Sequence, residues 1–177
     1  MNAVLVIDRL ERFGREIAGL ASIASEDDAR WKPREGAWSI LEIVNHLADE
    51  EVDDFRTRLR LTQDDPAAPW PGIDPEGWAC EREYNQRSLS ESIDRFVRER
   101  GESVKWLRSL VHSGRADWKV EHLHPRHGPI SAGTLLVSWA AHDALHLRQI
   151  AKRLFELAGR DGASEEFRTG YAGEWRA

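Results

Sequence analysis

The sequence predicts an all-α protein, an up-down bundle of four helices forming one domain. Three observations carry this expectation. Apolar residues recur at spacings of three and four in four separate segments, no stretch alternates convincingly with a period of two, and no unit of about 20–50 residues repeats. The chain has 177 residues, which suits a single domain and suffices to bury a core without disulfide or metal staples.

The first segment spans about residues 2–24, where Val6, Leu10, Phe13, Ile17, Leu20 and Ala24 form one apolar stripe. The stretch "SEDDARWKPREGA" then interrupts it with charge, Pro33 and Gly36. The second segment opens sharply. In "WSILEIVNHL", Ser39 is placed to cap the first turn and Glu42, three residues on, to reach back to the cap amide, with Trp38 and Ile43 as a hydrophobic staple. This helix is expected to run through Leu47 and Phe55 to about Leu61. The following "TQDDPAAPWPGIDPEGW" holds four of the seven prolines and reads as a loop. Its Trp70 and Trp78 are candidates to cover a site.

The third segment, between Glu81 and Val111, sets Leu89, Ile93, Phe96, Leu107 and Leu110 on one side. "SGRADWKVEHLHPRHGP" connects onward as a loop. The fourth begins near Ser131 and is expected to stop at Gly159, with the stripe Leu135, Trp139, His142, His146 and Gln149. Residues 1–158 thus form the bundle and residues 159–177 a polar tail, in which Tyr171 and Trp175 suggest a docking contact.

The formal net charge is −6, so no global basic field recruits nucleic acid or an anionic membrane. No apolar run approaches the ~18 residues of a membrane span, and the N-terminus turns charged at Asp8 and Arg9, without a signal-peptide core. Cys80 is the only cysteine; an internal disulfide is impossible, and a lone thiol suits a reducing cytosol. A cytoplasmic protein is expected. The eight tryptophans read mainly as core and bundle-end packing.

His142 and His146 stand four apart on the stripe that ought to be buried, so their rings share one helix face. Buried imidazoles need partners for their nitrogens. Interior hydrogen bonds meet that need, and so does a shared metal; the pair alone leaves both readings open. His46 favours the metal, because it lies near the inward side of the second helix. If the second and fourth helices adjoin, three imidazoles converge with a fourth position open, the pattern of a catalytic rather than a structural ion.

The strings "GAWSILEIVNHLADEE" and "HGPISAGTLLVSWAAHDALHLRQI" resemble the DinB-like superfamily, and the resemblance covers roughly residues 5 to 157. It implies a four-helix bundle of the DinB/YfiT-like type that binds a divalent metal, commonly zinc or nickel, through His46, His142 and His146. It also implies a kinship with transferases and isomerases that use low-molecular-weight thiols such as bacillithiol or mycothiol, with a small molecule as substrate.

Around such a centre Glu50 reads either as a general base, or water-orienting group, or as a solvated glutamate in "ADEEVDD"; Asp49 is equally ambiguous. Gln149 could bond a ligand ring or a substrate. Arg87 and Arg148 are candidates to hold the carboxylate of a thiol cofactor. Asp143 points about 100° away from the ligand face and reads as packing or an inter-helix contact. His122, His124 and His127 read as a bundle-end loop near the site mouth, and His112 as an exposed helix end. The chemistry expected is metal-dependent thiol S-transfer. The alternatives are hydrolysis with a metal-activated water and a metal-binding stress protein without turnover. A homodimer, paired through an outer helix face or the aromatic tail, is expected.

Overall fold

Four long helical stretches build the computed structural model, which describes residues 1–162 and Trp175. The first, α1, is Ala3–Ala21, capped by the Asn2 side chain. A short α2, Glu26–Arg30, forms inside the charged break, where Ser25 caps the first turn and three acids sit at the positive helix end. The second stretch begins with α3, Ile40–Asp49, and its capping box is formed as expected: Ser39 Oγ accepts from the Glu42 amide and Glu42 answers the Ser39 amide.

Beyond Asp49 the helix departs from the expected regular course. Residues Glu50–Phe55 wind as a π-helix before α4, Arg56–Asp64. The wider turn, with i→i+5 bonds, lets Glu50, Asp54 and Phe55 all face the same cavity. The proline-rich segment is mostly loop but carries a short α5, Pro75–Glu81, with Asp74 as cap and proline in the first turn. A 3₁₀ turn, Tyr84–Gln86, leads into α6, Leu89–His112.

The "HLHPRH" stretch, expected as a loop, is a small hairpin. Strands β1, Glu121–His124, and β2, Gly128–Ser131, pair antiparallel with His124 opposite Gly128. Three residues connect them, and Gly128 takes φ 72°, the left-handed position that such hairpins place after the turn. The strands are too short to show a period in sequence. Helix α7, Ala132–Asp161, passes through Gly159, the expected stop, and ends at Gly162. One glycine within a long, well-packed helix weakens it by only about 1 kcal/mol and does not end it. Trp175 packs against Phe155, ring centroids 5.8 Å apart; Tyr171 and the rest of the tail lie outside the described residues. No described helix is long and apolar enough to cross a membrane.

The spatial order of the helices is not their order in sequence. Helix α1 packs against α6 and α7, and the α3–α4 stretch packs against the same two, while α1 meets α3 only slightly. The connections from α1 to α3 and from α6 to α7 therefore cross the bundle diagonally. That brings α3 beside α7, the adjacency the histidines require.

Two apolar clusters fill the bundle, one around Ile17, Ile43, Phe96 and Ile150, the other around Leu10, Leu59, Leu107 and Trp139. Between them lies a polar waist. Arg100 on α6 is buried and donates to Glu51 Oε1 (2.6 and 2.9 Å), to both Asp143 oxygens (2.7 and 2.8 Å) and to the Leu10 carbonyl (2.7 Å). Trp139 Nε1 completes Glu51 at 3.0 Å. Gly14 makes room for this arginine, since a Cβ there would stand 2.8 Å from Arg100 Cγ.

Candidate metal centre

Helices α3 and α7 bring three imidazoles together at the level of the waist. His46 Nε2 lies 3.3 Å from His142 Nε2, which lies 3.0 Å from His146 Nε2. The four-residue spacing on α7 sets the second distance, and the α3–α7 packing sets the first. His46 is buried, whereas His142 and His146 are half-buried. The stripe they continue is thus a cavity wall rather than closed core. Trp38 meets the His46 ring edge-on at 4.8 Å and Phe55 lies 5.3 Å from the His142 ring, so aromatic faces limit how the imidazoles can turn.

The second nitrogens decide what the first can do. Gln149 Oε1 lies 2.9 Å from His146 Nδ1, an arrangement satisfied when Nδ1 carries the proton and Nε2 the lone pair. Among the described residues, His46 Nδ1 and His142 Nδ1 have no hydrogen-bond partner; the nearest acid to the former is Glu50 Oε1 at 3.7 Å. A single proton between three convergent nitrogens satisfies one pair and leaves the third lone pair facing it. One cation satisfies all three. Nitrogens about 2.0–2.1 Å from one ion at a tetrahedral angle stand about 3.4 Å apart, close to the two separations above, and the three donor atoms all lie within 4.8 Å of one another. The donor set therefore fits a divalent metal, and imidazole suits zinc and nickel alike.

Burial also keeps the rings neutral, as ligation requires. It pushes His46 down to about 3 and His146 to about 4, with His146 adding to the shift at His46 and Gln149 opposing the shift at His146. His142 is lowered by burial and then by its two neighbours. The sign is that of proton competition removed: between pH 7 and 5 the folded rings take up no proton. A solvated imidazole of pKa about 6.5 would lose about 30-fold in metal binding at pH 5. The metal affinity of this protein is expected to stay nearly constant over that range, and ring ¹⁵N shifts of the metal-free protein to report neutral imidazoles at pH 5. A steep fall in affinity below pH 6.5 would contradict this.

The nitrogens open into a cavity of about 550 Å³. Glu50 forms part of its wall. Its side chain is 3% exposed, and burial, reinforced by Asp54, holds its carboxyl well above the usual carboxylate range. Asp54, one turn further, is raised by burial and lies 2.8 Å from Arg58 Nε. Ile73, Asp74, Pro75 and Glu76 also line it, with Asp74 and Glu76 exposed.

The structure sorts the other candidates. Gln149 holds the His146 ring. Asp49 is buried away from the cavity and accepts from Tyr84, Arg82 and Arg95. Asp143 belongs to the Arg100 waist. Arg87 is turned to Asn45 Oδ1 (3.0 Å) and the Arg82 carbonyl, and Arg148 is exposed; neither lines the cavity. Trp70 and Trp78 are not the cover. Trp70 stacks on His122 at 4.2 Å and Trp78 lies under Arg82, and from this segment residues 73–76 line the cavity instead. His122, His124 and His127 stay in the hairpin, apart from the three-histidine cluster. Asp54 was overlooked in the sequence, although 46, 50 and 54 repeat at intervals of four. Trp38 was read as a staple, not as a wall of the site.

Fold and donor set together define a helical bundle protein with an open three-histidine centre. The chain belongs to the DinB superfamily, whose family model matches residues 9–150. A protein of Oceanobacillus iheyensis named "Putative metal-dependent hydrolase OB0413" is 24% identical over 154 residues, 86% of each chain. "Putative metal-dependent hydrolase YfiT" of Bacillus subtilis is 23% identical, over 84% of this chain and 83% of that one. The solved structure of Bacillus subtilis YfiT, described as "a probable metal-dependent hydrolase with an unusual four-helix bundle topology", shares the fold. Its TM-score is 0.74 at 21% identity, over 92% of this chain and 89% of that one.

Proposed function

We propose that this protein is a metal-dependent hydrolase of small molecules, with His46, His142 and His146 as metal ligands and Glu50 as the group that handles the proton. The observation that carries the reading is the buried Glu50 carboxyl in the cavity wall beside three convergent Nε2 atoms. The names of the two relatives support it. A divalent zinc or nickel ion held there supplies Lewis acidity at a position open to the cavity.

The chain's own residues supply the rest. Trp38 and Phe55 brace the imidazoles and keep bulk water from the inner wall. Glu50 takes a proton from the attacking water as its oxygen bonds to the acyl carbon. It then returns that proton to the departing alcohol or amine as the old bond breaks. A buried carboxylate, once ionised, is a stronger base than a solvated one, which suits this role. The S-transfer expectation called for cationic groups at the cavity to hold a carboxylate-bearing thiol. Among the described residues the lining offers carboxylates and no arginine or lysine, which favours hydrolysis.

Protein purified without a nickel column is expected to hold about one equivalent of a transition metal and to hydrolyse members of an ester and amide panel. His142→Ala is expected to lose both properties while keeping its helical circular dichroism. Metal at full occupancy with turnover only when a small thiol is added would replace hydrolysis by S-transfer.

A further inference from the structure

We infer that the cavity selects an organic cation, an ammonium or amidinium group on an apolar body, as the substrate of this site. The inference rests on the hydrolase reading for the reaction, but not for the binding. The walls are of two kinds. Trp38, Phe55, Ile73 and Pro75 form apolar surface, while Glu50, Asp54, Asp74 and Glu76 supply four carboxyl groups.

No lysine or arginine among the described residues lines this space. The cations nearby are already engaged. Arg58 pairs with Asp54 at 2.8 Å and lies over Trp70, and Arg82 bonds Asp49 and Asp53. Arg58 offsets Asp54, and the carboxylates of Asp74 and Glu76 remain in the lining, so an anionic substrate enters the metal-free cavity against like charge.

Glu50 makes the independent argument. It is 3% exposed, lines the cavity, and its Oε1 has no hydrogen-bond partner among the described residues. A buried carboxyl oxygen without a donor is unfavourable, and an N–H group of a bound ligand supplies one. Asp74 and Glu76 stand exposed at the rim. Asp74 Oδ1 accepts from the Gly77 amide at 3.0 Å, while Glu76 pairs with none of the described residues. They place negative charge where a ligand enters, and Trp38 adds an aromatic side chain to the wall within.

The test uses three probes with one ring and different charge: benzylammonium, benzyl alcohol and benzoate. Each is titrated at pH 7.5 into the full chain, metal-loaded and chelator-treated, and followed by the ¹⁵N shifts of the Trp38 indole and the Phe55 amide. In the chelated protein benzylammonium is expected to bind about tenfold tighter than benzyl alcohol, and benzoate weakest. Glu76→Gln combined with Asp74→Asn, which keeps a capping side chain, is expected to reduce that preference by about threefold or more. Equal or tighter binding of benzoate or benzyl alcohol to the chelated protein would overturn the inference, as would full preference in the double variant. Because the charge preference is read without metal or turnover, it can fail while the hydrolase reading stands, and the reverse.

Discussion

Glu50→Gln is expected to lower kcat by about 10²–10⁴-fold while leaving the metal content of the protein unchanged. Glutamine keeps the size of the side chain and cannot accept the proton. The side chain is not one of the three convergent nitrogen donors, and its Oε1 stands 3.7 Å from His46 Nδ1, so metal affinity is expected to shift little. The carboxyl is held well above its usual range by burial, with Asp54 reinforcing it, so removing it also removes a titration from the rate. The limb of the kcat profile that rises with pH as Glu50 ionises is expected to vanish in the variant. Elemental analysis beside kcat and KM checks this. A variant with wild-type kcat would remove Glu50 from the chemistry, and one that loses its metal would make it a support of the ligands.

Arg100→Met is expected to destabilise the fold by about 3–5 kcal/mol, the range for breaking a buried ion pair from one side. Met fills much of the volume but leaves Glu51 and Asp143 buried without their counter-ion. Both are fully buried, and five hydrogen bonds from Arg100 are lost. The mechanism makes a second forecast. Adding Glu51→Gln and Asp143→Asn to Arg100→Met removes the orphaned charges and is expected to recover a large part of the loss. Urea unfolding of the single and triple variants, at matched m-value, measures both. A single-variant loss under about 1 kcal/mol would mean that water reaches the waist and that its charges are screened. Because Glu51 adjoins Glu50 and Asp143 adjoins His142 in the chain, the single variant is also expected to bind metal more weakly.

The waist shows where local sequence reasoning runs out. Gly14, Glu51, Arg100 and Asp143 each interrupt an apolar stripe, and each alone reads as an ordinary break. Only their meeting at one height makes them a network. Asp143, about a third of a turn from the face of His142 and His146, was expected to pack or to meet another helix, and it does meet one. Which side chain it would meet depends on α6, more than 40 residues away. Likewise, Arg87 was attractive as a substrate group from its charge. Its actual partners are Asn45 on α3 and the Arg82 carbonyl at the end of α5, a meeting of segments that no local pattern in the sequence advertises.

The amino-acid order by itself determined the helices, the Ser39–Glu42 cap, the shared face of His142 and His146 and the inward placing of His46. These depend on periods and hydrogen bonds within a few residues, where geometry follows directly from spacing. Only the tertiary structure decided that α3 lies beside α7, that the helix widens into a π turn at Glu50, and that residues 73–76 rather than the two tryptophans line the cavity. Those outcomes depend on how whole apolar faces share one core. That balance is struck between segments far apart in the chain, and no short window of sequence contains it.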